Sequence, residues 1–553
     1  MKKKVFTPAL FDCLKHYSGR QFTKDLVSGV IVAIIALPLS IALALASGVS
    51  PEQGIYTAII AGFLISFFGG SCVQIAGPTA AFATIVAGIV AQHGMGGLAL
   101  ATVMAGVILI LMGVLRLGSL IRFIPYTITT GFTAGIAVTI FIGQWKDFFG
   151  VTYADKPIET MEKAACFFRN LGTVNVWAVL VGAVCLAILI LWPKINRLIP
   201  GSLIAVLVGI AMVQLLELPV NTIGDLYTIS NRLPSFTLPD FSFSTMESMI
   251  SSAFTIAILA AIESLLSCVV ADGMVATHHN SNTELIAQGV ANLASPIFGG
   301  IPATGAIART MTNINNGGKT PIAGIIHAVV LLLIFLFFMP LAKYIPMACL
   351  AGVLVIVSYG MCGWRSFLAL MKNPKSDVSV LLITFFLTII FDLTVAIEVG
   401  LIIACLLFMK RVSEMTDVKV IMDEINEESD IIKGNLEHIT IPKGVEVYEI
   451  NGPYFFGAGN RFEEIMAAFG DRPKVRVIRM RKVPFIDSTG IHNLTNLCEM
   501  SRKENIQVVL SGVNPSVHAA LEKAGFYASV GKENICSHIN LALERAKEIV
   551  EKG

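Results

Sequence analysis

A single carboxylate lies in the middle of a long uncharged stretch of the chain. Glu263 is the only charged residue between positions 248 and 271, and Ser267 follows it in the sequence one helical turn later on the same helix face. A carboxylate in such surroundings can hold a proton, or it can coordinate a cation together with a nearby hydroxyl. Glu263 and Ser267 are therefore predicted to bind a proton or a cation, and a structural ion pair of Glu263 is the alternative.

Two short apolar segments, 78–92 and 304–315, begin directly after breaks that contain glycine and proline. A helix that begins inside a membrane leaves its first N–H groups unpaired and points the positive end of its dipole at the break. Two such helix starts facing each other form an anion site. The residues predicted to bind the anion are Gly77, Pro78, Thr79 and Ala80 at the first break and Thr304, Gly305 and Ala306 at the second. The threonines add hydroxyl donors, and the glycines let the backbone approach a ligand closely.

Arg309 lies within or just beyond the second of these segments. It is predicted to add positive charge to the anion site or to pair with Glu263. The alternative is an arginine at the cytoplasmic end of a span, where basic residues are common. The predicted ligand of the two breaks is therefore a small anion.

These candidate residues belong to a chain of 553 residues that is 55% hydrophobic and only 14% charged. Soluble proteins carry about 25% charged residues, whereas this chain has about 8% in residues 26–409 and about 28% in residues 410–553. The composition excludes an ordinary cytosolic enzyme, a disordered protein and a nucleic-acid-binding protein. It predicts a lipid-embedded block followed by a water-soluble tail. The scattered cysteines form no C-x-x-C pair, so no metal site or cofactor is predicted.

The lipid-embedded block is predicted to contain fourteen segments, because about 20 apolar residues cross the hydrocarbon core of a bilayer. They lie at 26–46, 54–69, 78–92, 97–115, 125–144, 177–192, 199–216, 248–272, 283–299, 304–315, 321–339, 343–362, 377–391 and 393–410. Lysine and arginine cluster at alternate span ends, on the side of the N-terminus. The positive-inside rule then places both termini in the cytoplasm. We expect a multi-pass protein of a bacterial-type inner (plasma) membrane.

The block repeats itself. The Phe-Gly-Gly sequence at 68–70 recurs at 298–300, just before the second short segment. With seven segments in each copy, the second copy is inverted relative to the first, and paired short helices in such copies point to a transporter's binding site. The predicted division is an N-terminal segment at 1–25 and a membrane domain at 26–410, whose repeats cover about 26–216 and 248–410. The alternative to a binding site at the paired breaks is that glycine and proline are simply common in membrane helices.

The tail alternates short β-type segments with amphipathic helices, which is typical of a small α/β domain. A charged linker is predicted at 411–440 and the domain at 441–553. The predicted strands are 444–450, 475–480 and 507–511, and the predicted helices are 457–470, 488–503, 514–525 and 537–551. Ser488 lies where a strand gives way to a helix, so it is predicted to cap that helix or to be phosphorylated.

Several motifs in the same order resemble the sulfate permease (SulP) family of anion transporters. They are Leu37-Pro38, residues 77–81, the run from Glu263 to Ser267, residues 284–289, and residues 309–321. The tail resembles a STAS domain, whose signature matches Asp487-Ser488-Thr489-Gly490. The resemblance implies the seven-plus-seven inverted-repeat fold of the uracil transporters, with a core domain, a gate domain, elevator-like motion and a homodimer.

Single residues carry over from this resemblance. Glu263 matches an acidic position associated with coupling, and Ser267 matches a hydroxyl that binds sodium in the family's cyanobacterial bicarbonate symporters. Those symporters have Asp in place of Glu263 and lack the arginine at 309. The bacterial dicarboxylic acid transporter is more similar, since it also reads Ile-Glu-Ser-Leu-Leu and Ala-Ile-Ala-Arg. Leu39 replaces a glutamine of many relatives, which leaves Ser40 as the polar candidate on that span.

The expected function is secondary active transport of a sulfate-type oxyanion or a C4-dicarboxylate, coupled to protons through Glu263. The first alternative is sodium-coupled bicarbonate symport. Others are a passive anion channel, a chloride/bicarbonate exchanger, and a membrane-tethered signalling protein that acts through its STAS domain. Ser488 matches a serine phosphorylated in anti-sigma antagonists, and STAS domains of transporters often bind a cytoplasmic partner instead. No catalytic residue is predicted.

Overall fold

A computed structural model describes residues 6–15, 17–119, 125–153, 157, 159–196, 199–230, 232–234, 236, 241–391, 393–414, 416–421, 424–426, 438–456 and 473–552. The chain forms two compact units, Met1–Ile402 and Ile403–Gly553.

The first unit consists mainly of helices. In chain order, the helices up to residue 414 are α1 (Ala9–Leu14), α2 (Gly19–Ala46), α3 (Pro51–Phe68), α4 (Ala80–Val114), α5 (Tyr126–Gly143), α6 (Trp145–Phe148), α7 (Thr160–Arg169), α8 (Val176–Ile195), α9 (Gly201–Leu215), α10 (Ile223–Leu226), α11 (Phe243–Val275), α12 (Ser281–Ile297), α13 (Ile307–Asn315), α14 (Ile322–Phe338), α15 (Met347–Cys362), α16 (Trp364–Leu370), α17 (Lys375–Ile390) and α18 (Leu393–Glu414). Two short strands, β1 (Ala76–Gly77) and β2 (Thr304–Gly305), precede α4 and α13. Within the described residues, eight helical segments are long and apolar enough to cross a membrane.

Each of the fourteen predicted segments coincides with a helix or with part of one. The predicted segments 78–92 and 97–115 are the two parts of α4, which is interrupted at Gly94, where φ is 65° and ψ is −172°. Only glycine adopts such a conformation at little cost. The shorter helices α9, α12 and α17 have 15, 17 and 16 residues. The prediction of a multi-pass helical membrane protein is confirmed.

Local sequence determines where several helices begin. Ser18 precedes α2 and accepts a hydrogen bond from the Gln21 N–H, and Asn280 does the same for the second and third residues of α12. Ser50 and Gln53 form a capping box at α3, whose first residue is proline. These caps satisfy N–H groups that a helix start otherwise leaves unpaired.

The helices of the first unit pack in two groups. One group contains α2, α3, α4, α11, α12, α13 and α14, and the other contains α5, α8, α9, α15 and α17. In the first group, α4 and α12 approach so closely that a Cβ on Gly106 would lie 2.8 Å from the carbonyl oxygen of Gly289. Such contacts need small residues. Each group combines helices from both predicted repeats.

The second unit contains a five-stranded sheet in the order β3-β6-β7-β8-β9. Its strands are β3 (Asp417–Ile421), β6 (Val445–Asn451), β7 (Val475–Lys482), β8 (Gln507–Ser511) and β9 (Ile535–Cys536), and β4 (Glu424–Asn426) pairs separately with β5 (His438–Thr440). Strands β6 to β9 are parallel, and β3 is antiparallel to β6. The described helices are α19 (Ser488–Lys503), α20 (Pro515–Lys523), α21 (Tyr527–Val530) and α22 (Ile539–Lys552).

The two faces of this sheet are covered by different helices. On one face, Ile478 packs in a core with Leu494 of α19 and Leu521 of α20. On the other face, Val477 packs in a core with Leu543 of α22. Because neighbouring strand residues point to opposite faces, the alternation along β7 builds both cores. The predicted small α/β domain is confirmed.

Part of the predicted linker at 411–440 belongs to this sheet. Strand β3 pairs with β6 residue for residue, from Asp417 opposite Asn451 to Ile421 opposite Val447. The alternation of polar and apolar residues in β3 is typical of an edge strand. The linker was predicted because the residues around β3 are charged. The predicted helix at 457–470 lies outside the described residues.

Candidate anion-binding site

The two breaks predicted from the sequence meet in the first unit. Strands β1 and β2 pair in antiparallel orientation, with Ala76 opposite Gly305 and Gly77 opposite Thr304. Helix α4 begins three residues after Gly77, at Ala80, and α13 begins at Ile307. The tertiary structure therefore brings the two helix starts, each with unpaired N–H groups, to one place.

Glu263 of α11 lies against the start of α4. The Thr79 hydroxyl donates a hydrogen bond to Glu263 Oε2 over 2.8 Å. Thr79 is the residue before α4, but its side chain makes no capping hydrogen bond to that helix. The hydroxyl thus binds the carboxylate and does not cap the first N–H groups of α4.

Arg309 of α13 lies next to β1 and is only 1% exposed. Its Nη2 donates to Ser40 Oγ over 3.2 Å and to the Pro78 carbonyl over 3.3 Å. A Cβ on Gly77 would collide with Arg309 Nη1. Nε and Nη1 have no hydrogen-bond partner among the described residues.

The placement of Arg309 can be compared with each of the predicted alternatives. The described residues contain no ion pair between Arg309 and Glu263. The side chain is buried between α2 and β1, so it is not an arginine exposed at the end of a span. Arg309 therefore lies at the meeting point of the breaks. Its partner on α2 is Ser40, the polar residue that was expected on this helix because Leu39 replaces the glutamine of many relatives.

Several predicted donors are already occupied. The Thr304 hydroxyl donates to the Ala260 carbonyl of α11 over 2.9 Å, and the Ala306 N–H donates to the Ile75 carbonyl over 2.8 Å. The Ser267 hydroxyl donates to Thr310 Oγ1 over 3.4 Å, not to Glu263. Thus Thr304 and Ser267 attach the second break to α11, and the protons of these hydroxyls are not free to be donated to an anion.

Two buried amides that sequence reasoning did not single out support the breaks. Asn292 accepts a hydrogen bond from the Ala303 N–H over 2.9 Å and donates to the Ala303 carbonyl over 2.8 Å. The Gln74 amide donates to Ser264 Oγ over 3.0 Å, and a Cβ on Gly305 would collide with it. The presence of asparagine and glutamine within apolar segments could have pointed to these contacts, because a buried amide needs hydrogen-bond partners.

Buried ionisable residues elsewhere in the first unit were also missed. Asp25 accepts hydrogen bonds from Thr320 Oγ1 over 2.6 Å and from the Lys319 N–H over 3.0 Å. Glu284 accepts from the Gly70 N–H over 2.9 Å. His327 is fully buried, and neither of its ring nitrogens has a partner among the described residues. Glu284 belongs to a motif used for the family resemblance, but its contact with Gly70 depends on the fold.

In the second unit, Asp487 caps α19, and Ser488 does not. Asp487 Oδ1 accepts from the Gly490 N–H over 2.7 Å, and Oδ2 accepts from the Phe456 N–H over 3.2 Å. The prediction that Ser488 caps the helix is therefore wrong, since the cap lies one residue earlier. Ser488 is exposed at the first position of the helix, and its phosphorylation stays a prediction.

The sequence was also compared with known protein families and proteins. Residues 22–384 match the sulfate permease family, and residues 438–543 match the STAS domain. YvdB of Bacillus subtilis, named as a candidate sulfate transporter, is 38% identical over 95% of this chain and 98% of its own length. The bicarbonate transporter BicA of Picosynechococcus is 31% identical over 95% of both chains.

Two solved structures extend the comparison. The murine anion transporter Slc26a9 in the inward-facing state has a TM-score of 0.86 at 19% identity and covers 98% of this chain and 94% of its own, which shows the fold alone. The transmembrane domain of a cyanobacterial BicA has a TM-score of 0.61 at 30% identity and covers 70% of this chain and 98% of its own. The chain therefore belongs to the sulfate permease family, and it is a multi-pass membrane transporter with a C-terminal STAS domain rather than an enzyme.

Proposed function

We propose that the protein transports a small anion that binds between the starts of α4 and α13, beside the Arg309 guanidinium. The observation that carries this proposal is that Arg309 is buried while its Nε and Nη1 find no hydrogen-bond partner in the described part of the chain. A buried charge is costly unless it is paired and hydrogen-bonded. An anion that accepts from these two nitrogens and from the first N–H groups of α4 removes this cost.

Glu263 gives this site a basis for proton coupling. If both groups are charged, the carboxylate offsets the positive charge of Arg309 and repels an incoming anion. A proton on Glu263 removes that repulsion, so proton and anion each strengthen the binding of the other. The Thr79 hydroxyl, which bonds to the carboxylate and precedes α4, lies between the proposed proton site and the proposed anion site. We infer proton–anion symport.

Sodium-coupled bicarbonate symport is the second candidate, since relatives with about 30% identity are named as bicarbonate transporters. The hydrogen bonds favour the proton over sodium. Glu263 is bonded to Thr79 and Ser267 to Thr310, whereas a hard cation needs several oxygen ligands directed at one point. The names of the relatives, which refer to sulfate and bicarbonate, favour an inorganic oxyanion over a dicarboxylate as the substrate.

Uptake into proteoliposomes tests the proposal. Sulfate, bicarbonate, chloride, fumarate and succinate are compared at fixed pH and fixed sodium concentration. We expect saturable uptake of at least one oxyanion, with counterflow, which a passive channel does not show. Arg309→Ala should abolish this uptake, whereas Arg365→Ala, on the exposed side of α16, should leave it unchanged. Binding of the same anion to Arg309→Ala with unaltered affinity would contradict the proposed site.

A further inference from the structure

A cavity of about 340 Å³ lies at the end of the first unit where α2 ends. Its lining includes Leu45 and Ala46 at the end of α2, the end of α5 and part of α15, so it lies between the two packing groups. Its lining includes Ala42 and Ala83. These residues follow Ser40 and Thr79 by no more than about one helical turn, so the cavity extends to the immediate neighbourhood of the proposed anion site.

Two lysines line this cavity, Lys146 just after α5 and Lys163 of α7. Asp147 also lines it, so the described lining has a net charge of +1. Lys146 Nζ lies 5.5 Å from the centre of the Tyr153 ring. Burial lowers the pKa of the Lys163 ammonium. A charged Lys163 is therefore stabilised by an anion beside it.

The adjacent cavity has the opposite charge. It has a volume of about 380 Å³ and shares Thr84 and Thr139 with the first cavity. Glu159 and Glu162 line it, and no lysine or arginine is found among its described lining residues. Two acidic residues at the start of α7 thus line one cavity, and Lys163 of the same helix lines the other.

We propose that the cavity beside Lys146 and Lys163 is a binding vestibule for small inorganic or carboxylate anions, which collects them from the side of the membrane opposite the N-terminus. The described lining has a net positive charge, and a cleft with a net charge raises the local concentration of ions of the opposite sign and the rate of their arrival. This inference deepens the proposed function, because it assigns the entrance to the site at Arg309. The acidic cavity repels the same anions, so it is not the entrance.

Thiol labelling measures the charge of each cavity directly. Ala87→Cys lines the lysine cavity and Ser252→Cys lines the acidic one. Each variant is treated, from the side opposite the N-terminus, with a negatively charged sulfonatoethyl methanethiosulfonate or a positively charged trimethylammonium-ethyl methanethiosulfonate. The ratio of the two rates is divided by the ratio for free mercaptoethanol. The unsubstituted chain supplies the background reaction of the native thiols.

We expect Ala87→Cys to favour the anionic reagent and Ser252→Cys the cationic one, with ratios that differ at least fivefold. Adding Lys163→Gln or Lys146→Gln to Ala87→Cys should lower its ratio at least twofold, and Lys163→Arg should preserve it. Equal ratios at both positions, an unchanged ratio in Lys163→Gln, or no labelling of Ala87→Cys from that side would each overturn the vestibule. The readout requires no transport, so it can fail while the site at Arg309 stands, and the reverse also holds.

Discussion

The Thr79 hydroxyl donates a 2.8 Å hydrogen bond to the Glu263 carboxylate, although the two residues are 184 positions apart. A threonine before a helix usually accepts hydrogen bonds from the first N–H groups of that helix. Thr79 does not, so the start of α4 keeps donors for an anion, and the carboxylate on α11 is attached to the same point. This hydrogen bond connects the Glu263 carboxylate, which can hold a proton, to the start of α4, which can bind the anion.

Replacing Glu263 by glutamine should separate transport from its driving force. The amide keeps the shape of the side chain and an acceptor for Thr79, but it cannot take up a proton at neutral pH. We expect Glu263→Gln to show equal uptake with and without an imposed pH gradient, while anion exchange continues. Uptake into proteoliposomes at several external pH values measures this. Glu247→Gln, on the exposed side of α11, is the matched control, and a gradient-driven rate like that of the native protein in Glu263→Gln would rule out the coupling role.

A methyl group at Gly77 should displace Arg309. A Cβ at this position collides with Arg309 Nη1, so the guanidinium must move away from Ser40 and Pro78. We expect Gly77→Ala to weaken anion binding about tenfold, which corresponds to ~1.4 kcal/mol. Isothermal titration calorimetry with the transported anion measures the affinity. Gly96→Ala is the control, since a Cβ there meets no atom within 4 Å; similar affinities for the two variants would contradict the placement of Arg309.

Asn292 should stabilise the segment that leads into β2. Its side chain satisfies both the N–H and the carbonyl of Ala303, and both groups lose a buried partner in Asn292→Ala. We expect this change to destabilise the first unit by ~2 kcal/mol, seen as a lower thermal midpoint of the protein in detergent. Asn316→Ala removes a single, less buried bond to the Thr312 carbonyl and should cost clearly less. Equal midpoints for the two variants would show that Asn292 has no such role.

The start of α19 should depend on Asp487 and not on Ser488. Asp487→Ala removes the acceptor for the Gly490 N–H, and loss of such a cap costs ~1 kcal/mol. Hydrogen exchange of the full-length protein should become faster at residues 488–492 in this variant. Ser488→Ala should leave exchange unchanged, because its side chain is exposed and makes no capping bond. Faster exchange in Ser488→Ala would return the capping role to the serine.

The sequence determined the elements of this protein because their signals are local. An uncharged run of about 20 residues predicts a span, so the ends of α3, α5 and α8 differ from the predicted ends by at most three residues. A glycine and a proline before a short apolar segment likewise predict a helix that begins inside the membrane. Local signals gave a different prediction at two places. The charges around β3 indicated a linker instead of a strand, and the residue that caps α19 is Asp487, one position before the predicted Ser488.

Only the tertiary structure decided how these elements form a site. Three contacts have no local signal in the sequence. They are the pairing of β1 with β2, the bond of Arg309 to Ser40 across 269 positions, and the bonds of the Thr304 and Ser267 hydroxyls that hold α11 against the second break. Each depends on which helices pack together and on which buried donors find acceptors once they do. The sequence therefore predicted an anion site with one carboxylate and one arginine. The packing decided that Thr79 contacts the carboxylate, and that Nε and Nη1 of the arginine have no partner among the residues the structure describes.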